Sequence, residues 1–115
     1  MTSEEFKIRT QDFALRVIRM VASLPKSTAS EIIGRQLLRS ATSVGANYRA
    51  ACRARSKQEF RAKLGIVEEE ADECLYWFDL LVNGKFIRAE LMRDLREEAN
   101  SILAMVVASL RTAKR

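Results

Sequence analysis

Histidine is absent from this 115-residue chain, and cysteine (two), proline (one), glycine (four) and aromatic residues (7%) are scarce. Without histidine there is no His-based catalytic triad, His metal site or His acid/base pair. Cys52 and Cys74 are too few for a disulfide framework and form no CxxC pair, so a reduced, cytoplasmic protein is expected. The first residues, Met1 to Phe6, place acid before any apolar side chain, unlike a signal peptide, and the longest apolar stretch, 102–110, is too short for a bilayer. A soluble chain with no membrane partner follows. At this length residues 1–115 form one domain with a single core and little material for a deep cleft. A non-enzymatic role carried by the surface or by an assembly is therefore expected, with no cofactor or metal implied.

What the chain does have is helical periodicity. Breakers fall at Pro25, at Arg55-Ser56 and at Asn83-Gly84, cutting it into four segments. Three segments open with a hydroxyl residue followed three positions on by glutamate: Thr2 with Glu5, Thr28 with Glu31, Ser56 with Glu59. That spacing is the capping box, in which each side chain satisfies a backbone N–H of the other. Asn83-Gly84 is read as a left-handed stop for the third helix. Helices are expected over about 3–24, 29–55, 57–82 and 88–113. Their core stripes run through Phe6, Phe13, Val17, Met20, Val21 and Leu24; Ile33, Leu37, Ala41, Val44, Tyr48 and Ala51; Phe60, Leu64, Val67, Ala71, Leu75, Phe78 and Val82; and Leu91, Leu95, Ala99, Ile102, Val106 and Leu110. Short turns between long amphipathic helices predict an all-α, up-down-up-down four-helix bundle.

Two features exceed what one core needs. Ile66, Trp77 and Leu80 point roughly opposite to Phe60 and Leu64, with Glu73 among them, and the first helix repeats the pattern with Ile8, Leu15 and Ala22. An interface between copies, built from these outer faces, is expected. Coverage of the same residues by loops or helix ends of one chain is the alternative.

Charge is also segregated. Residues 35–63 hold Arg35, Arg39, Arg49, Arg53, Arg55, Lys57, Arg61 and Lys63 against Glu59 alone, whereas residues 64–100 are net acidic. Arg35, Arg39, Arg49 and Arg53 fall in one arc opposite the core stripe of the second helix. Guanidinium groups so arrayed suit a phosphate backbone, and pairing with the acidic run Glu68, Glu69, Glu70, Asp72 and Glu73 is the competing reading. That run lacks the histidines a di-iron bundle requires. Cys52 and Cys74 read as packing residues on stripe flanks. Gly45 in mid-helix suggests close approach of another backbone. Ser40, Ser43 and Asn47 lie where they would pin helix 2 to a neighbour or help hold a phosphate.

The run from Arg35 to Phe60, RQLLRSATSVGANYRAACRARSKQEF, continued by KLGIVEEEADE at 63–73 and the Phe6, Phe13, Pro25 layout, closely resembles a bacterial four-helix-bundle family. It is the family named after proteins encoded in 23S rRNA intervening sequences. The resemblance implies a homopentameric ring or barrel, and a fold similar to accessory variability proteins of diversity-generating retroelements, basic pentamers that partner a reverse transcriptase and bind nucleic acid. Positions matching the family's polar signature are Arg39, Ser43, Asn47, Arg53 and Ser56, and no catalytic residue is carried over. The expectation is a homo-oligomeric RNA- or DNA-binding scaffold with Arg35, Arg39, Arg49, Arg53, Arg55, Lys57 and Arg61 on phosphates. The alternative is an adaptor docking an acidic partner such as a reverse transcriptase or a ribosomal component.

Overall fold

Thr2 opens the first helix, α1 (Ser3–Ala22), by accepting the backbone N–H of Glu5 on its hydroxyl at 3.1 Å. In the computed structural model, which describes residues 1–114, three further helices follow: α2 (Thr28–Cys52), α3 (Lys57–Asn83) and α4 (Ala89–Lys114). Ser56 caps α3 in the same way as Thr2, from the N–H of Glu59 at 3.0 Å. The second cap differs from the expected Thr28 and Glu31. Ser27 and Ser30 form the reciprocal box, because Ser30 is buried under the Pro25 turn and its hydroxyl also reaches the Pro25 carbonyl.

The ends of α2 and α3 also depart from expectation. Helix α2 stops at Cys52, so Arg53 is its cap residue and Arg55 lies in the turn rather than on a helical stripe. At the end of α3, Gly84 is not left-handed (φ −79°); Lys85 is, at φ 64°. The Lys85 N–H meets the Val82 carbonyl and the Phe86 N–H meets that of Leu81, the paired bonds of a Schellman stop. Glycine is required at 84 for space, since a Cβ there would lie 2.8 Å from the Leu80 carbonyl oxygen and 2.9 Å from the Phe86 ring.

Each helix packs on its sequence neighbours, and α1 also meets α4, so the four close around one core. Among the described residues α1 and α3 share no backbone contact and lie on a diagonal, as do α2 and α4, although Phe13 and Phe78 meet edge-on across the centre at 6.4 Å. Phe13, Val17, Leu37, Leu64, Phe78 and Ile102 are among the fully buried side chains. Each supplies about 1.5–3 kcal/mol of transfer free energy.

Two stripe assignments shift by one position. Leu91 is 61% exposed and Met92 takes its place in the core, because the buried face of α4 runs at three- and four-residue spacing through Met92, Leu95, Ala99, Ile102 and Val106. On α3, Cys74 and Leu81 are fully buried while Leu75 and Val82 are half-buried. Cys52, by contrast, is exposed.

The close approach anticipated at Gly45 is to α1 of the same chain: a Cβ at 45 would lie 3.2 Å from the Thr10 hydroxyl. The molecule measures 45 × 22 × 20 Å. At one end of the long axis the N-terminus of α1, the α2–α3 turn and the C-terminus of α4 converge. There Phe6 meets Tyr48 edge-on at 4.6 Å, and Thr2, Tyr48, Leu64 and Ser109 line a common cavity. No described helix is long and apolar enough to cross a membrane.

Candidate functional site

The basic residues singled out in the sequence divide into three groups. Arg35 and Arg49 are exposed on α2, and Arg53, Arg55 and Lys57 are exposed in the turn and the first position of α3. None of these five side chains makes a hydrogen bond or ion pair among the described residues. Arg61 is half-buried on α3. Arg39 stands apart, because its guanidinium reaches across the α2–α3 seam to Glu70 at 3.1 Å and to Glu73.

A small network grows from that reach. Glu73 also accepts the indole N–H of Trp77 at 3.2 Å, and Arg39 donates to the buried Ser40 hydroxyl at 3.3 Å. Partial burial pushes the Glu73 carboxyl up, but hydrogen bonds from Arg39, Trp77 and Ser40 outweigh it and hold the group below its ordinary value. The hydrogen bond to Glu73 and the charge of Glu70 raise the Arg39 pKa in turn. At this position the acidic run does pair with the basic stripe. Ser40 helps pin the helices, while Asn47 donates to the Ser43 carbonyl within its own helix at 2.9 Å.

Of the outer apolar residues, Ile8 is 61% and Leu15 40% exposed. Ile8 lines an open groove of about 450 Å³ between α1 and α2, with Gln11, Thr42, Ala46 and Arg49. On α3, Ile66 is exposed, but Trp77 and Leu80 are half-buried rather than turned fully outward, and Trp77 packs against the core. They sit on the flank of α3 that faces α2, the same flank as Glu70 and Glu73. The α1 patch borders the groove with α2 and the α3 patch borders the seam with α2, so the two lie on diagonal helices and flank α2 on either side.

A model of the 23S rRNA-intervening sequence protein family matches residues 5–108, which takes in almost all of the four helices. The chain belongs to that family. The fold of this intervening-sequence family member is similar to the crystal structure of a protein of unknown function from the S23 ribosomal protein family of Bacteroides thetaiotaomicron. The two share 30% identity at a TM-score of 0.89, over 96% of this chain and 99% of the other. Comparison with curated proteins gives no match.

Two features of this family member escaped the sequence reading. Arg9 grips Glu98 with two bonds, Nε to Oε2 at 2.8 Å and Nη2 to Oε1 at 2.7 Å, and Nη2 also donates to the Ser101 hydroxyl at 2.7 Å. This clip joins α1 to α4. Only the charged character of both positions signals it in the sequence, since the partners are 89 residues apart. The second feature is the position of Arg111, which the fold carries to the same end of the bundle as Arg53 and Arg55.

Proposed function

We propose that this protein is a non-enzymatic, cytoplasmic scaffold that binds RNA or DNA through phosphate groups and assembles as a homo-oligomer. One observation carries the reading: Arg49, Arg53, Arg55 and Lys57 are exposed and unpaired among the described residues, on a chain of net charge +5. Free cations of this density release condensed counterions from a phosphate backbone.

Two apolar patches facing different directions suit a heterologous contact, in which one patch of each copy meets the other patch of the next and the chain of contacts closes into a ring. Five copies is the number the family resemblance implies. Ile8 and Leu15 supply one side, and Ile66, Glu73, Trp77 and Leu80 the other. A ring repeats the basic surface in every copy, so modest contacts add through avidity.

Fluorescence anisotropy against structured RNA, duplex DNA and single strands tests the reading. Binding should weaken by about 10³-fold or more between about 50 and 200 mM salt if six or more phosphates are contacted by the assembly. No binding to any of them at low salt removes the nucleic-acid reading, and a monomer by light scattering at micromolar concentration removes the ring.

A second reading is an adaptor for an acidic partner protein, such as a reverse transcriptase or a ribosomal component. The pairing of Arg39 with Glu70 and Glu73 favours it, because it shows this basic face accommodating carboxylates. A partner retained after nuclease treatment would support it.

A further inference from the structure

We propose that the nucleic-acid contact lies at one end of the bundle, not along the flank of α2, and that its ligand is a double helix held by phosphates on both sides of one groove. The inference rests on the nucleic-acid reading above and locates its site. Folding gathers cations at this end from segments far apart in the chain: Arg49 near the end of α2, Arg53 and Arg55 in the turn, Lys57 and Arg61 at the start of α3, and Arg111 near the end of α4. The antiparallel register that sets Arg9 against Glu98 and Ser101, and Phe6 against Tyr48, brings them together.

Cations outnumber acids here. Glu4, Glu5 and Glu59 reach the same end, where Glu4 pairs with Lys7 at 2.8 Å and also faces the charge of Arg49, and Glu59 accepts the backbone N–H of Arg55 at 3.4 Å, against six cations. At the opposite end the signs alternate: Arg88 pairs with Glu90, Arg93 with Asp94 and Arg96 with Asp79. The flank of α2 between the ends is weaker than the sequence implied. Arg39 is engaged by two carboxylates, and Arg35 has Glu31 one turn before it on the same face. Arg35 also stands about 27 Å along the axis from Arg53 at 1.5 Å per residue.

The shape of this end favours a duplex. The bundle is 22 × 20 Å in cross-section, wide enough to reach phosphates on both sides of a B-form major groove of about 12 Å. A single strand is held by stacking its bases on aromatic faces. Here Tyr48 and Phe60 are half-buried against the core, and Tyr76, the exposed aromatic ring, lies on the far half of α3.

The test is fluorescence anisotropy on the full chain with a 20-base-pair duplex and a single strand of equal length, at two salt concentrations. Arg53→Glu/Arg55→Glu is compared with Arg35→Glu, and the neutral triple variant Arg53→Gln/Arg55→Gln/Lys57→Gln guards against a folding defect in the first. The end-on site predicts a loss of at least about 100-fold in the double variant and a salt slope shallower by about one per contact removed. Arg35→Glu should stay within about twofold of the wild type by the same reasoning. If Arg35→Glu loses as much as the end variants while the wild type binds, the site lies on the flank and this inference fails, although nucleic-acid binding stands. Tighter binding of the single strand overturns the duplex. A wild type that binds neither removes the nucleic-acid reading and this site with it.

Discussion

The Arg9–Glu98 clip holds α1, which carries the outward Ile8 and Leu15, to α4, and a double-mutant cycle measures its strength. The variants are Arg9→Met, Glu98→Gln and the two together, unfolded with urea at one fixed protein concentration so that any self-association is held constant. Two parallel N–H···O bonds of 2.8 and 2.7 Å make the pair bidentate, and the side chains are only 26% and 19% exposed. Charge-assisted hydrogen bonds contribute about 1.5–3 kcal/mol when shielded, and residual exposure and screening reduce this, so a coupling energy of about 1–2 kcal/mol is expected. For a chain of this length the unfolding entropy near 60 °C is about 0.24 kcal/mol per kelvin, and Glu98→Gln should lower Tm by about 4–8 °C. Amide exchange in α1 should quicken more than in α3, because α1 loses one of its two neighbours. A coupling energy below about 0.3 kcal/mol, the level at which independent sites simply add, would refute the reasoning.

Three further perturbations follow from the geometry. Lys85→Gly should stabilise by about 1 kcal/mol by relieving a left-handed residue, while Gly84→Ala next to it should destabilise by about 1–3 kcal/mol through collision with the Leu80 carbonyl; thermal melts compare them. A disulfide thiol reagent should modify one cysteine in the native protein, the exposed Cys52, and two in denaturant, because burial pushes the Cys74 thiol up to about 12 and closes it off. The Glu73 carboxyl titrates below its ordinary value when folded, so its stabilisation is complete above the unfolded carboxylate pKa and is lost as pH falls through the lower folded value. Arg39→Gln should therefore flatten the acid limb of a stability–pH curve, whereas Arg35→Gln should leave it unchanged.

Much of the architecture was legible in the residues. Helix starts at Thr2 and Ser56 follow from a hydroxyl placed before an apolar period, and Phe13, Leu37, Leu64 and Ile102 follow from the period itself. The departures at helix ends lie where several partners within a few residues compete for the same backbone groups. Ser27 displaced Thr28 as a cap because the Pro25 carbonyl offered Ser30 a second partner, and the left-handed position fell one residue after Gly84, at Lys85, where the bonds to the Val82 and Leu81 carbonyls close the helix. The candidate site was half legible: the cationic segment is plain in the sequence, but the commitment of Arg39 is not.

The sequence by itself determined four amphipathic helices, one core and a strongly basic stretch around the second turn, because periodicity and capping act within a few residues. Only the tertiary structure decided what faces each helix flank. It set Arg39 against Glu70 and Glu73, joined Arg9 to Glu98, half-covered Trp77, and drew Arg53, Lys57 and Arg111 to one end. Those outcomes depend on the order in which the helices surround the core and on their antiparallel register, properties shared among all four helices and carried by none of them alone.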